Sequence, residues 1–376
     1  MASSSMNPKV SQLAVVDAAL KFTLSGVNVS IANALRRIIL SEIPTLVFRT
    51  TPHDKNLATF EINTSRMNNE LIKQRLSCIP IHITDVNFAF QDYILEVNKK
   101  NESDMIQFVT TEDFKIKHVS TDSYLTDAQT KIIFPPDTIT GDYIDFVRLR
   151  PRISDDIPGE HLKLSCKLDI GTASQDNAFN VVSTCAYGNT ADPAKVRDAW
   201  LEKEAELKKT GMTAEELEFA KKDWHFIDGK RIFVEDSFDF TIESVGPFPN
   251  MSIMHKAVEI MITKLTKFKD TIQSEQDIIV ASESTIPNCY DITLNNEGYT
   301  LGKVIEYILY SNYYGKAVTY CGFRKPHPHI DSSMIRIAFK EPTDRISTTS
   351  YFTNAANEAI VCYQKLLPVF NGGSVP

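Results

Sequence analysis

What this chain lacks narrows its chemistry before any motif is read. No apolar run approaches the roughly 20 residues that span a bilayer, and the opening MASSSMNPK has no apolar stretch of the kind a signal peptide carries, so a soluble intracellular chain is expected. Cys-x-x-Cys pairs are missing. Cys78, Cys166, Cys185, Cys289, Cys321 and Cys362 stand at long intervals, which suits reduced and mostly buried thiols better than a metal or disulfide framework. An excess of positive charge is missing too: 48 acidic residues against 40 basic give a net charge of -8. That balance opposes adsorption to phosphate backbones or anionic membranes, so any contact with DNA is expected to be indirect.

Reaction centres are equally scarce. There is no glycine-rich phosphate loop, no His-Glu-x-x-His and no nucleophile elbow. His327 and His329 in the Pro-His-Pro-His stretch are the best metal candidates, but the interleaved prolines argue against the regular strand that would set them on one face. Asp155 with Asp156, and Asp236 with Asp239, read as solvated surface. No catalytic residue, metal or cofactor is expected.

What is present is apolar material, 43% of 376 residues, enough for two or three domains with their own cores. After a polar tail, Leu20 to Leu24 alternates as a strand, and Ser25, Gly26 and Asn28 mark a turn. A helix follows, with Ser30 placed to cap it. Ile31, Ala34, Leu35, Ile38 and Ile39 share one face, and Pro44 ends it before the extended Leu46 to Arg49. Near the other end the order recurs: a strand at Tyr290 to Leu294, a turn over Asn295 to Gly298, and a helix that Thr300 is placed to cap. Leu24 answers to Leu294, Ser30 to Thr300, Ile31 to Leu301, Leu35 to Ile305 and Ile39 to Leu309, each 270 positions on. Strand-like alternation then returns at Phe238 to Val245 and at Met334 to Phe339. Long helices follow, Ser252 to about Ile272 and Thr353 to about Leu367. Two unrelated α+β domains using a common helix pattern would show the same spacing; two related modules would be able to pair about a pseudo-twofold axis, each burying the face the other exposes.

The middle of the chain is too long for a loop. Runs at Ile81 to Phe88, Tyr93 to Val97 and Lys131 to Phe134 suggest a β-rich insert over 51–160, and Ile144 to Leu149 and Leu162 to Leu168 suggest a return to the main sheet. The expected division is thus 1–50 and 161–273 for the first module, 51–160 for the insert and 278–376 for the second module, with a linker near Gln273 to Asp277. Asp192 to Lys222 is charged and helical in composition, broken at Gly211, and reads mostly as a solvated face. Trp200, Trp224, Tyr307, Tyr310, Tyr313 and Tyr314 read as core or pairing seam rather than as partner anchors.

Four ordered blocks carry a resemblance. Asn33 to Thr45, NALRRIILSEIPT, resembles the signature of the bacterial RNA polymerase alpha subunit and its larger archaeal and eukaryotic counterparts. Asn63 to Ile81 resembles the second block of that family, with Glu70, Arg75, Leu76, Ile79 and Pro80 matching. His161 to Gly171, followed by Phe179 to Tyr187, and Phe238 to Gly246 supply the third and fourth. Leu294 to Gly302 and Val318 to His329 resemble the family's smaller partner. Both partners in one chain resemble the fused subunits of large cytoplasmic DNA viruses. The sequence departs from the family at Ser77-Cys78 before Ile79-Pro80 and at Tyr299, where a histidine is usual, and it lacks the Cys-rich element some relatives carry.

The resemblance implies an α+β fold of two alpha-like dimerisation modules related by a pseudo-twofold, the first carrying a β-rich insert, and a non-catalytic scaffold role in a DNA-directed RNA polymerase. It implies an internal pseudo-dimer rather than a homo-oligomer, with the largest and second-largest subunits and other small subunits as partners and no membrane. The helix bearing Leu35, Ile38 and Ile39 and the helix bearing Leu301, Ile305 and Leu309 would be buried in that pairing. Asn33, Arg36, Arg37, Ser41, Glu42 and Arg75 would face the partners, with Arg36, Arg37, Ser41 and Glu42 docking the second-largest subunit; read from residues alone, those arginines are a solvated helix flank. The place of action would be the host cytoplasm and virion for a virus, the nucleus for a cell. A DNA-binding transcription factor on the same fold is the alternative, but it would need a basic recognition helix, and the most basic stretches are interrupted by acids.

Overall fold

A computed structural model describes residues 6–87, 89–154 and 156–371. In chain order the first elements are β1 (Lys9–Val16), β2 (Ala19–Ser25), α1 (Val29–Ser41) and β3 (Thr45–Val47). Next come β4 (Ala58–Asn63), α2 (Asn69–Ser77), β5 (Tyr93–Lys100), β6 (Gln107–Thr110), β7 (Lys115–His118), β8 (Ser123–Tyr124), α3 (Asp127–Ile133), β9 (Asp145–Leu149), β10 (His161–Lys167) and β11 (Asp169–Gly171). Then follow β12 (Val182–Ala191), α4 (Pro193–Lys209), α5 (Ala214–Phe226), β13 (Phe233–Ser244) and α6 (Asn250–Ser274). The last are β14 (Ile279–Ala281), β15 (Cys289–Leu294), α7 (Tyr299–Tyr313), β16 (Val318–Arg324), β17 (Ser333–Phe339) and α8 (Arg345–Gln364). The chain is a mixture of helix and sheet, and none of the described helices is long and apolar enough to cross a membrane.

These elements form two compact units. One takes residues 1–38, 184–243 and 250–376; the other takes 39–183 with 244–249. The first unit holds two four-stranded sheets of the same strand order, β1-β2-β13-β12 and β14-β15-β17-β16. In each, a hairpin leads into a helix, α1 or α7, and the last two strands, in reversed spatial order, lead into a long helix, α6 or α8. Phe22 stands opposite Phe240 and Leu24 opposite Phe238 in one sheet, and Ile292 opposite Ile335 in the other. Four of the five pairs of the 270-residue repeat are buried on both sides, Leu24 with Leu294, Ile31 with Leu301, Leu35 with Ile305 and Ile39 with Leu309; in the fifth, Thr300 is buried and Ser30 half-buried.

The second unit is built on the five-stranded sheet β4-β10-β5-β7-β8. Leu162, Leu164 and Cys166 alternate inward on β10 and meet Leu95 and Val97 of β5. Phe114 packs edge-on against Phe134 and Phe146, each at 5.3 Å. Several expectations change here. The unit is wider than 51–160, because β10 and β11 complete its own sheets instead of returning to that of β2. Among the described residues β9 pairs only with β6. Residues 81–87 form no strand, and Phe88 lies outside the described residues. Lys131 to Phe134 belongs to α3 and its C-cap, because Thr126 and Gln129 close a capping box that starts a helix.

The helix starts differ as well. Asn28, not Ser30, caps α1, its Oδ1 accepting from the Ser30 amide at 2.9 Å. Thr300 does not cap α7 either, since no side chain caps that helix and Gly298 precedes it. α8 begins at Arg345, eight residues before the expected start, capped by Asp344. Its opening Arg-Ile-Ser-Thr-Thr-Ser looks unhelical by composition, but Thr348, Thr349 and Ser350 return their hydroxyls to the carbonyls four residues back, at 3.0, 3.0 and 3.1 Å. The charged stretch forms the α4–α5 pair, broken where Gly211 takes φ +84. It is mostly exposed apart from Trp200, which lies 5.6 Å from Trp224.

On β15, Asp291 accepts from Arg336 Nε and Nη2 at 2.6 and 2.7 Å. Those hydrogen bonds hold its carboxyl below the ordinary carboxylate value. A depressed folded pKa adds stability above the unfolded value of about 4 and loses it as pH falls through the folded one. Asp291→Asn is expected to cost about 1–2 kcal/mol at neutral pH, with the gap from wild type closing as pH falls below the unfolded carboxyl value of about 4; urea denaturation at neutral and at acid pH measures it.

Candidate subunit-pairing site

The site is built from two helix pairs within the first unit. α1 places Ile31, Ala34, Leu35 and Ile38 on its buried side, where the 3.6-residue period predicts them. α7 buries Leu301, Val304, Ile305, Ile308 and Leu309 in the same way. Across the repeat, Arg37 Nε donates to Thr300 Oγ1 at 2.9 Å. The Tyr363 hydroxyl of α8, fully buried, donates to the Ile31 carbonyl at 3.5 Å. Phe370, just beyond α8, meets Phe22 of β2 edge-on at 5.3 Å. α6 lies along α8, with Phe268 6.4 Å from Phe352, and Lys264 pairs with Glu297 at 3.1 Å. Elements that precede residue 275 therefore share one core with elements that follow it.

Charge is arranged on the outer flank. Arg36 donates Nε and Nη2 to Asn33 Oδ1 at 3.2 and 2.8 Å, which fixes the guanidinium along the helix. Cys185, close by, is pushed up to about 12 by burial, with the Arg36 charge drawing it back only in part. Burial pushes the thiols of Cys166, Cys321 and Cys362 up to about 12 as well, so all four stay protonated and unreactive near neutrality. Ile39, Ser41, Glu42 and Arg75 belong to the other unit, where the Ser41 carbonyl accepts from the Ser174 amide and Arg75 Nη2 donates to the Asp145 carbonyl.

Other candidates resolve into structure. His329 donates its backbone N–H to His327 Nδ1 in an exposed turn. Asp239 accepts from Thr23 and Thr190 on the neighbouring strands, at 2.7 and 2.9 Å. Asp155 lies outside the described residues. Among the described residues no three His, Cys, Asp or Glu side chains converge as metal ligands. Tyr310 and Tyr314 are not core: both are 48% exposed and stack on each other at 4.4 Å. The inner face of α7 is already filled by aliphatic residues, which leaves these rings outside. Residue-level reasoning missed Tyr363, Phe370 and Phe22, whose only signal was a large aromatic at an inward strand or helix position.

The Arg37 to Thr300 bond is testable by itself. Thr300 is buried, and Thr300→Val keeps its shape while removing the acceptor. The expected loss is about 1 kcal/mol in urea denaturation, with the unfolding slope unchanged.

Two α+β modules of one topology, packed through their helices, define a pairing protein. The chain belongs to the RNA polymerase Rpb3/Rpb11 dimerisation domain family: residues 21–265 match one description of that domain and residues 289–367 a second. Its relatives there are non-catalytic polymerase subunits. Subunit Rpo3 of the DNA-directed RNA polymerase of Pyrococcus furiosus is 26% identical over 274 residues, 68% of this chain and 93% of the relative. Subunit RPAC1 of Homo sapiens RNA polymerases I and III is 24% identical over 299 residues, 68% and 82% of the two chains. Over a shorter stretch of 61 residues, 16% of this chain and 17% of the relative, identity with subunit 3B of Arabidopsis thaliana RNA polymerases IV and V reaches 46%.

Proposed function

We propose that this chain is both halves of an alpha-like heterodimer in one polypeptide, paired about a pseudo-twofold, and that it scaffolds the two largest subunits of a DNA-directed RNA polymerase. The observation that carries the reading is the shared strand order of the two sheets together with the Arg37 to Thr300 bond, which links equivalent helices. In this reading the second compact unit is an insert in the first module, and Asn33, Arg36, Arg37, Ser41, Glu42 and Arg75 meet the large subunits. The chain supplies no chemistry; DNA is reached only through its partners. The fusion resembles that of large cytoplasmic DNA viruses, and on that resemblance we propose that it acts in the host cytoplasm, the nucleus being the expectation for a cellular chain. Affinity purification from the native source, followed by mass spectrometry, is expected to recover two very large subunits in stoichiometric amounts. Recovery of the chain alone as a stable monomer would overturn the scaffold reading, and immunofluorescence confined to nuclei would overturn the cytoplasmic one.

A further inference from the structure

Where α1, β12 and α7 meet, the first unit holds a pocket of about 390 Å³ whose apolar walls are Val29 and the rings of Tyr187, Tyr307 and Tyr310. Its strong acceptors are already taken. Asn28 Oδ1 accepts from the Ser30 amide, and Asn33 Oδ1 accepts twice from Arg36. Glu306 accepts from the Phe323 amide and from Lys303, whose charge it answers. The donors are left over: among the described residues the side-chain amides of Asn28 and Asn33 meet no acceptor, and the Ser30 hydroxyl is buried without a partner. Stacked Tyr310 and Tyr314 carry the aromatic surface onward from the pocket.

An aromatic slot whose one base and one acid, Lys303 and Glu306, answer each other, and which keeps spare donors, complements a chain rich in carbonyls and poor in N–H groups. Proline has no backbone N–H, and a polyproline II segment turns its carbonyls outward with no internal hydrogen bonds. Flat tyrosine faces suit the pyrrolidine rings, which is how aromatic-lined grooves select such segments. We propose that this pocket binds a proline-containing polyproline II segment of another polymerase subunit; the segment's source, though not its chemistry, rests on the scaffold reading.

Titration of the full chain with decaproline, followed by tyrosine fluorescence, is expected to saturate, while a glycine–serine peptide of equal length does not bind. Tyr310→Ala removes a wall. Asn28→Asp keeps an N-cap acceptor for Ser30, so the helix start and the melting temperature should hold, but it replaces a donor with a charge that repels carbonyls. Each substitution is expected to weaken decaproline binding about tenfold or more. Failure of decaproline to saturate the wild type, or equal binding by Asn28→Asp, would overturn the proposal. In affinity-purified complexes, a Lys303 crosslink should land on a proline-containing extended segment of another subunit; crosslinks confined to partner helices would overturn that assignment. The peptide titration needs no polymerase, so failure of the pocket and failure of the scaffold reading can be told apart.

Discussion

Leu35→Asp is expected to destabilise the first unit by about 4–5 kcal/mol, the loss of a packed aliphatic side chain compounded by an unpaired charge in an apolar site. Leu35 is fully buried on α1, and its counterpart Ile305 is fully buried on α7, so Ile305→Asp should act alike. Burial disfavours the ionised carboxyl, which raises its pKa, so the penalty should shrink as the solution is acidified and the new acid is neutralised. Soluble yield, the urea midpoint at two pH values, and co-purification of large subunits check the same substitution at three levels. Full stability together with recovery of an intact polymerase would mean that this seam does not hold the two modules together.

The second large effect is placed in the other unit. Gly159 sits just before β10, where an added Cβ would lie 1.7 Å from the Asn101 carbonyl oxygen. Asn101 has little room to withdraw: it is buried, its amide donates to the Glu160 carbonyl, and its side chain donates to the carbonyls of Met105 and Leu149. Gly159→Ala should therefore prise apart the end of the β5–β10 ladder, at a cost of about 3 kcal/mol. Hydrogen exchange would report the loss as faster exchange in β5 and β10, with β15 and β17 unchanged; uniform protection across β5 and β10 would contradict it.

How much of this was legible in the sequence follows the physics of each signal. The buried stripes of α1 and α7 were legible because a 3.6-residue period is a local property that tertiary contacts only have to agree with. The polymerase blocks were legible because Arg36, Arg37 and the Ser41 to Thr45 exit add residue identity to that period. Helix starts were less so. Asn28 and Ser30 are both good caps two residues apart, and only the backbone decides between them. Lys131 to Phe134 is a short apolar run, for which periodicity cannot separate strand from helix, and the Thr126 to Gln129 box was the better signal. The start of α8 was hidden by hydroxyl residues that usually favour turns, since their return to the helix carbonyls requires the helix to exist first. Which residue meets which across the seam, Arg37 with Thr300 or Phe22 with Phe370, is not a local property at all. A pattern of faces fixes what must be covered, and the partner is chosen by shape in three dimensions.

The short passage from α6 to β14, residues 275–278, bears on how such a pair behaves in a dilute cell compartment. Two separate chains would find each other in a second-order encounter, and their pairing would weaken as they were diluted or made in unequal amounts. Joined by so few residues, the two halves see each other at an effective concentration on the order of millimolar, whatever the abundance of the protein. Pairing then becomes a first-order event with built-in one-to-one stoichiometry, and neither finished half has to find its counterpart by diffusion.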